Sequence, residues 1–144
     1  MIGLGTDELV RVGAARSTSA TVRVLRLLSA GGLGVSGYIH AQLYVDGYRF
    51  IHVVGVLFLL QAAASFALAA LLSAGVALRP PTLIELAAVA AALGALAGFV
   101  ASRTVGVFGF TEHGLQPAPQ SLISILAEAA AIALLSTAAI LDRL

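Results

Sequence analysis

Four long apolar runs, separated by short polar breaks, make up most of this chain. They cover about 24–44, 50–73, 83–102 and 122–141, and the second keeps its apolar character as far as Leu78. A helix needs roughly 20 apolar residues to cross a hydrocarbon core of about 30 Å. Each run therefore reads as one membrane-spanning helix. The breaks Val45-Asp46-Gly47-Tyr48-Arg49 and Gly75 to Pro81 are short and carry Asp-Gly and Pro-Pro, which mark tight turns. The third break, from Arg103 to Gln120, is a substantial loop. The predicted fold is all-α, a four-helix transmembrane bundle forming one membrane domain over 24–144. A polar tail, 1–23, precedes it, with a surface helix around 7–15. The first run is too long for the roughly 7–15-residue core of a signal peptide, so it is expected to stay as a span. Thr82 and Glu85 follow Pro80-Pro81 as Thr-x-x-Glu, a capping-box pattern that assigns Glu85 a structural role at a helix start.

Polar and small residues recur at helical spacing inside the runs. Gly32, Ser36, His40 and Tyr44 stand four apart in the first; Gln61 and Ser65 do so in the second. Ser121, Ser124 and Glu128 share a face of the fourth. Gly94 and Gly98 form GxxxG in the third, extended by Ser102. Apolar surfaces give no net drive for association within lipid, so small residues that admit close backbone approach favour contact. Gly32, Ser36, Gly94 and Gly98 are the expected helix-packing positions, either within the bundle or towards a second protomer.

Composition agrees with the pattern. Of 144 residues, 60% are hydrophobic and only 10% charged, against about 25% charged in soluble domains. A net charge of +1 with no basic stripe argues against nucleic acid as a partner. The chain has no cysteine, which excludes disulfides, thiolate metal sites and cysteine nucleophiles. All eight basic residues are arginines, so Schiff-base chemistry is excluded too. Their placement orients the spans. Arg11, Arg16, Arg23, Arg26, Arg79 and Arg143 fall on one side, Arg49 and Arg103 on the other. The positive-inside rule then puts both termini in the cytoplasm of a bacterium and the protein in its plasma membrane. Tyr44, Tyr48 and Phe50 would lie at the outer interface.

Glu128 is the residue most in need of explanation. An ionised carboxylate within hydrocarbon is costly unless it finds a partner, water or a proton. Glu128 lies about 10 Å below the outer surface and His40 about 9 Å, at 1.5 Å per residue. Arg103 sits at the adjoining rim, and His52, Glu112 and His113 lie further out. The inner half is expected to hold almost nothing ionisable. Three readings stay open. Glu128 pairs with Arg103 or His40 as a structural strut; or His40, Arg103, Glu128 and Tyr44 form an outward-facing site for a metal, a quinone or a polar head group; or the bundle moves protons or ions. Spacing supports no specific metal or haem set, and no cofactor is specified. His52 and Gln61 fall on opposite faces and are not expected to share a site. The stretch Gly32-Leu33-Gly34-Val35-Ser36-Gly37 spells GxGxxG, but inside a span it reads as packing glycines rather than a dinucleotide fingerprint. The glycine-rich loop after Arg103 reads as an interfacial lid.

Ser102-Arg103-Thr104-Val105-Gly106 after the third span, together with Glu128, His40, Gly47-Tyr48-Arg49 and the stretch from Gly55 to Gln61, resembles a family of small four-span integral membrane proteins of high-GC actinobacteria. The resemblance covers the chain from about Arg26 onward and implies a topology but no activity. No activated nucleophile is visible, so an enzyme is not expected. The expected role is a non-catalytic accessory or assembly subunit, with the bilayer and a larger membrane complex, or a second copy, as partners. The alternative is a ligand-, quinone- or metal-binding membrane protein with its site at His40, Arg103 and Glu128.

Overall fold

A computed structural model describes residues 6–78 and 82–143, with side chains placed over 17–75 and 82–143. Helix α1 runs Thr6–Asp46, followed by a 3-10 turn at Tyr48–Phe50, then α2 (Val54–Leu78), α3 (Thr82–Thr104) and α4 (Gln120–Leu141). The Arg79-Pro80-Pro81 turn lies outside the described residues. Helix α1 is central and packs along α2 and α4, while α3 rests more lightly on those two.

Three helices are long and apolar enough to cross a membrane: Val54–Gly75, Thr82–Thr104 and Gln120–Leu141, with no more than 28% of each buried inside the protein. Their outward faces carry Leu59, Phe66, Leu71, Leu86, Leu93, Val100, Leu126 and Ile140. Apolar residues all round a helix suit hydrocarbon rather than water. This is a membrane protein. Helix α1 is less apolar because it supplies the bundle's polar interior; Ser29 and Ser36 are fully buried along it.

Two boundaries differ from the sequence pattern. The first helix starts at Thr6, so the polar tail continues the first long helix instead of forming a separate surface helix. No proline or turn dipeptide interrupts residues 6–26, so hydrogen bonding propagates straight through. At 41 residues α1 is about 60 Å long, twice the hydrocarbon thickness. The second helix starts at Val54 rather than Phe50. Gly47, at φ 146°, ends α1 in a conformation that favours glycine, and Tyr48–Phe50 winds as a 3-10 turn. That turn folds back onto Gly55, where a β-carbon would stand 2.8 Å from both Arg49 Cα and the Tyr48 carbonyl oxygen.

The core lies in the half of the bundle away from this turn. Ala30, Leu33, Leu72, Ala88, Ala92, Ala131 and Leu135 form it. Its alanines let α3 and α4 approach closely. Gly32 contributes in the expected way, since a β-carbon there would stand 3.0 Å from the Ala127 carbonyl oxygen of α4. Gly37 does the same against Ser65 of α2, at 3.1 Å. The GxGxxG stretch is thus plain α-helix gripped from both sides.

The end beyond the core gathers three ionisable groups, where the sequence pattern leads one to expect almost none. Arg26 Nε meets Glu85 Oε1 at 2.5 Å, and its Nη2 meets Asp142 Oδ2 at 3.0 Å. Arg26 and Glu85 are each 7% exposed. Glu85 is therefore no mere helix-start residue. One guanidinium ties α1 to α3 and to the end of α4, because its fork can serve two carboxylates at once.

Candidate ligand site

Towards the 3-10 turn the helices part around a cavity of about 450 Å³. Ile39, His40 and Leu43 of α1 line it, with Phe58 and Gln61 of α2, Gly94, Gly98 and Ser102 of α3, and Ser124 and Glu128 of α4. Most of the wall is apolar. The volume falls within the range of small-molecule sites.

Glu128 sits in the deep wall at 2% exposure. Residues four and seven positions before it on the same helical face, Ser124 and Ser121, are also buried. Glu128 Oε1 accepts hydrogen bonds from Ser124 Oγ at 2.9 Å and from Ser36 Oγ at 2.7 Å. His40 Nδ1 lies 2.9 Å from the Ser36 carbonyl oxygen. A carbonyl only accepts, so Nδ1 carries the hydrogen. The His40 ring leans on Phe58 at 5.2 Å, and Phe58 stacks on Tyr48 at 4.6 Å. At the floor, Gln61 Nε2 donates to the Ala91 carbonyl oxygen at 3.2 Å and to Ser65 Oγ at 3.3 Å, linking α2 to α3.

The loop over the mouth is held in place by Arg103. Its Nε donates to the Gly114 carbonyl oxygen at 2.8 Å, its Nη2 to that of Gln116, and its Nη1 to Ser102 Oγ at 2.7 Å. The guanidinium lies 3.6 Å over the Phe99 ring. Tyr48 adds a second tie, donating to Glu112 Oε1 at 2.9 Å, while Phe110 meets its ring edge-on at 5.8 Å. Burial and the bond to Glu112 raise the Tyr48 phenol well above its ordinary pKa.

Several sequence expectations are corrected here. Arg103 is not the partner of Glu128; it stands at the rim as a strut for the loop, and two serines take its place at the carboxylate. Tyr44 is half-buried but lies outside the lining, where Tyr48 stands instead. Each four-residue step along a helix advances about 40° round its axis, so three steps from Gly32 carry Tyr44 away from the face that started the stripe. Among the described residues, Gly94 and Gly98 meet no neighbouring helix, which leaves contact with a second protomer open. Nothing lies within 4 Å of a β-carbon at either, because both face the cavity. His52 and His113 are exposed, apart from the site. Among the described residues no group of three or more histidines and carboxylates is placed to hold a metal. Phe58 and Gln61, three apart on one face of α2, could have been found from that spacing; Tyr48 and Phe110 lie in turns that no periodicity reaches.

On one side the wall is incomplete. Leu57 and Leu60 of α2 and Gly94 and Gly98 of α3 line the cavity and are also exposed on the bundle's flank. The opening between α2 and α3 faces sideways, where hydrocarbon would lie.

The fold and this cavity define a helical membrane protein with a polar-floored internal chamber. No family model matches the chain, and no curated protein or solved structure is detectably similar to it.

Proposed function

We propose that this is a four-span integral membrane protein that holds a small amphiphilic molecule in the chamber beside Glu128. The observation that carries the reading is a 2%-exposed carboxylate on the wall of a largely apolar cavity of about 450 Å³. Burying a carboxylate costs several kcal/mol, and the two serines leave Oε2 without a partner among the described residues. The sideways opening supports entry from the bilayer. The fourth crossing is α1: Arg26 and Asp46 are about 30 Å apart along its axis, and between them every residue is uncharged except for the titratable His40. Both ends are cytoplasmic in this reading, in the plasma membrane of a bacterium, supported by the arginine asymmetry.

The test is extraction into native lipid discs without detergent, followed by identification of what co-purifies. One amphiphile near one copy per protein is expected, and it should be absent from Gly98→Leu, whose side chain fills the chamber from a position with free space around it. Only bulk lipid, in membrane proportions, would refute the proposal. A second reading, a non-catalytic accessory or assembly subunit of a larger membrane complex, draws support from the same opening. A partner helix seated against Gly94 and Gly98 would close it. A stoichiometric protein partner in the same preparation favours that reading.

A further inference from the structure

The hydrogen-bonding character of the chamber floor narrows the ligand further. Glu128 Oε1 is taken by two serine hydroxyls, and Oε2 has no partner among the described residues. Gln61 spends its amide nitrogen on the Ala91 carbonyl and Ser65, so Oε1 is the atom left over. His40 spends its Nδ1 hydrogen on the Ser36 carbonyl, so Nε2 is the ring nitrogen left over. Among the described residues only Gln120 Oε1 is a fully buried side-chain polar atom without a partner. The three leftover atoms of Glu128, Gln61 and His40 are therefore not sealed in protein. They open on the chamber that all three residues line. Gln61 Oε1 accepts, and Glu128 Oε2 does so as an ionised carboxylate.

Resting on the reading that the chamber binds an amphiphile, we propose that its ligand is a hydroxyl-bearing lipid-like molecule, whose O–H donates to Glu128 Oε2 while its apolar chain lies along Ile39, Leu43, Leu57 and Leu60 towards the flank. In this proposal Glu128 is ionised when the ligand is bound, and the floor discriminates by leaving its lone pairs unmatched when the head group has no hydrogen to give. A ketone or an ether of the same shape fills the chamber but strands Glu128 Oε2. The arrangement thus selects an alcohol over its ether, and a hydroquinone over its quinone.

The experiment uses the full chain in lipid nanodiscs, radiolabelled farnesol as the probe, and unlabelled farnesol and farnesyl methyl ether as competitors. Farnesol is expected to compete at a concentration at least about tenfold lower than the ether, the consequence of one buried acceptor left unpaired. In Glu128→Gln the serines keep the amide oxygen and the amide N–H₂ faces the chamber, so the preference should collapse to within about threefold. Equal competition by alcohol and ether in the unaltered protein overturns the donor requirement while leaving the chamber a binding site. No saturable farnesol binding, with the ether equally inert, overturns both. The comparison within the unaltered protein does not depend on the variant folding.

Discussion

Ser36 and Glu128 stand 92 residues apart in the chain, yet the serine hydroxyl donates to the carboxylate at 2.7 Å across the α1–α4 contact. Ser36 is wholly buried, so its hydroxyl cannot exchange this partner for water. Gly32, one turn earlier, brings the two backbones close enough for so short a side chain to reach. Replacing Ser36 with Ala should lower stability by about 1–2 kcal/mol. Ser124→Ala should cost a similar amount, and the double variant more than either alone. Thermal unfolding in a mild detergent measures this; an unchanged midpoint in Ser36→Ala would show that the bond contributes nothing.

At the far end, Arg26→Met leaves Glu85 as a buried carboxylate without its partner and should cost about 3 kcal/mol. Adding Glu85→Leu should recover most of that loss, because two matched apolar side chains need no pairing. Asp142→Asn should change stability by less than about 1 kcal/mol, since the Asp142 side chain is 57% exposed. A double variant no more stable than Arg26→Met would disprove the coupling.

Glycines on opposite sides of the chamber should respond in opposite ways. Gly55→Ala sets a methyl against two backbone atoms at 2.8 Å that cannot move without unwinding the 3-10 turn. It should cost about 2 kcal/mol or more and loosen the loop that Tyr48 holds. Gly94→Ala meets nothing within 4 Å and should be neutral or stabilising by about 0.5–1 kcal/mol. Comparing the two unfolding midpoints decides it; Gly55→Ala at wild-type stability is the outcome that contradicts the packing.

Tyr48 gives the protein an alkaline sensitivity. Its folded-state pKa is raised above the ordinary 10.0, first by burial and then by the bond to Glu112. The sign follows directly: the phenol's contribution is complete below pH 10 and is lost as pH climbs beyond it, because the unfolded chain ionises first. The wild-type protein should therefore lose stability above pH 10 more steeply than Tyr48→Phe. Parallel profiles for the two proteins would rule this out.

Orientation has its own check. A cysteine placed at Thr111, in the loop over the chamber, should react with a membrane-impermeant maleimide in intact cells, and the absence of native cysteine keeps the background clean. Labelling only after permeabilisation would reverse the assigned topology.

Much of the bundle was legible because lipid imposes long apolar runs on whatever crosses it. The inward faces at Ser121, Ser124 and Glu128, and at Gly32, Ser36 and His40, also showed, since helical spacing records which side of a helix is polar. The pairing of Arg26 with Glu85 did not, being 59 residues long-range and masked by a capping pattern that explains Glu85 locally. GxxxG at Gly94 and Gly98 announced room for close approach without saying whether a helix or a void would take it. Arg103 looked like a counter-ion because charge is visible in a sequence; that its donors go to loop carbonyls depends on a chain path that periodicity does not encode.

The contrast between an alanine-packed half and a hollow half makes the bundle mechanically uneven. One end is clamped by close backbones and a three-way ion cluster; the other consists of helix ends held apart by a few side chains. Helix α3 is fixed at Glu85 and packs more lightly than α1 does against its neighbours, so it is the helix expected to yield first. If the chamber takes a guest of larger girth, α3 should tilt outward at the expense of the loop strapped down by Arg103, while the core below stays as it was.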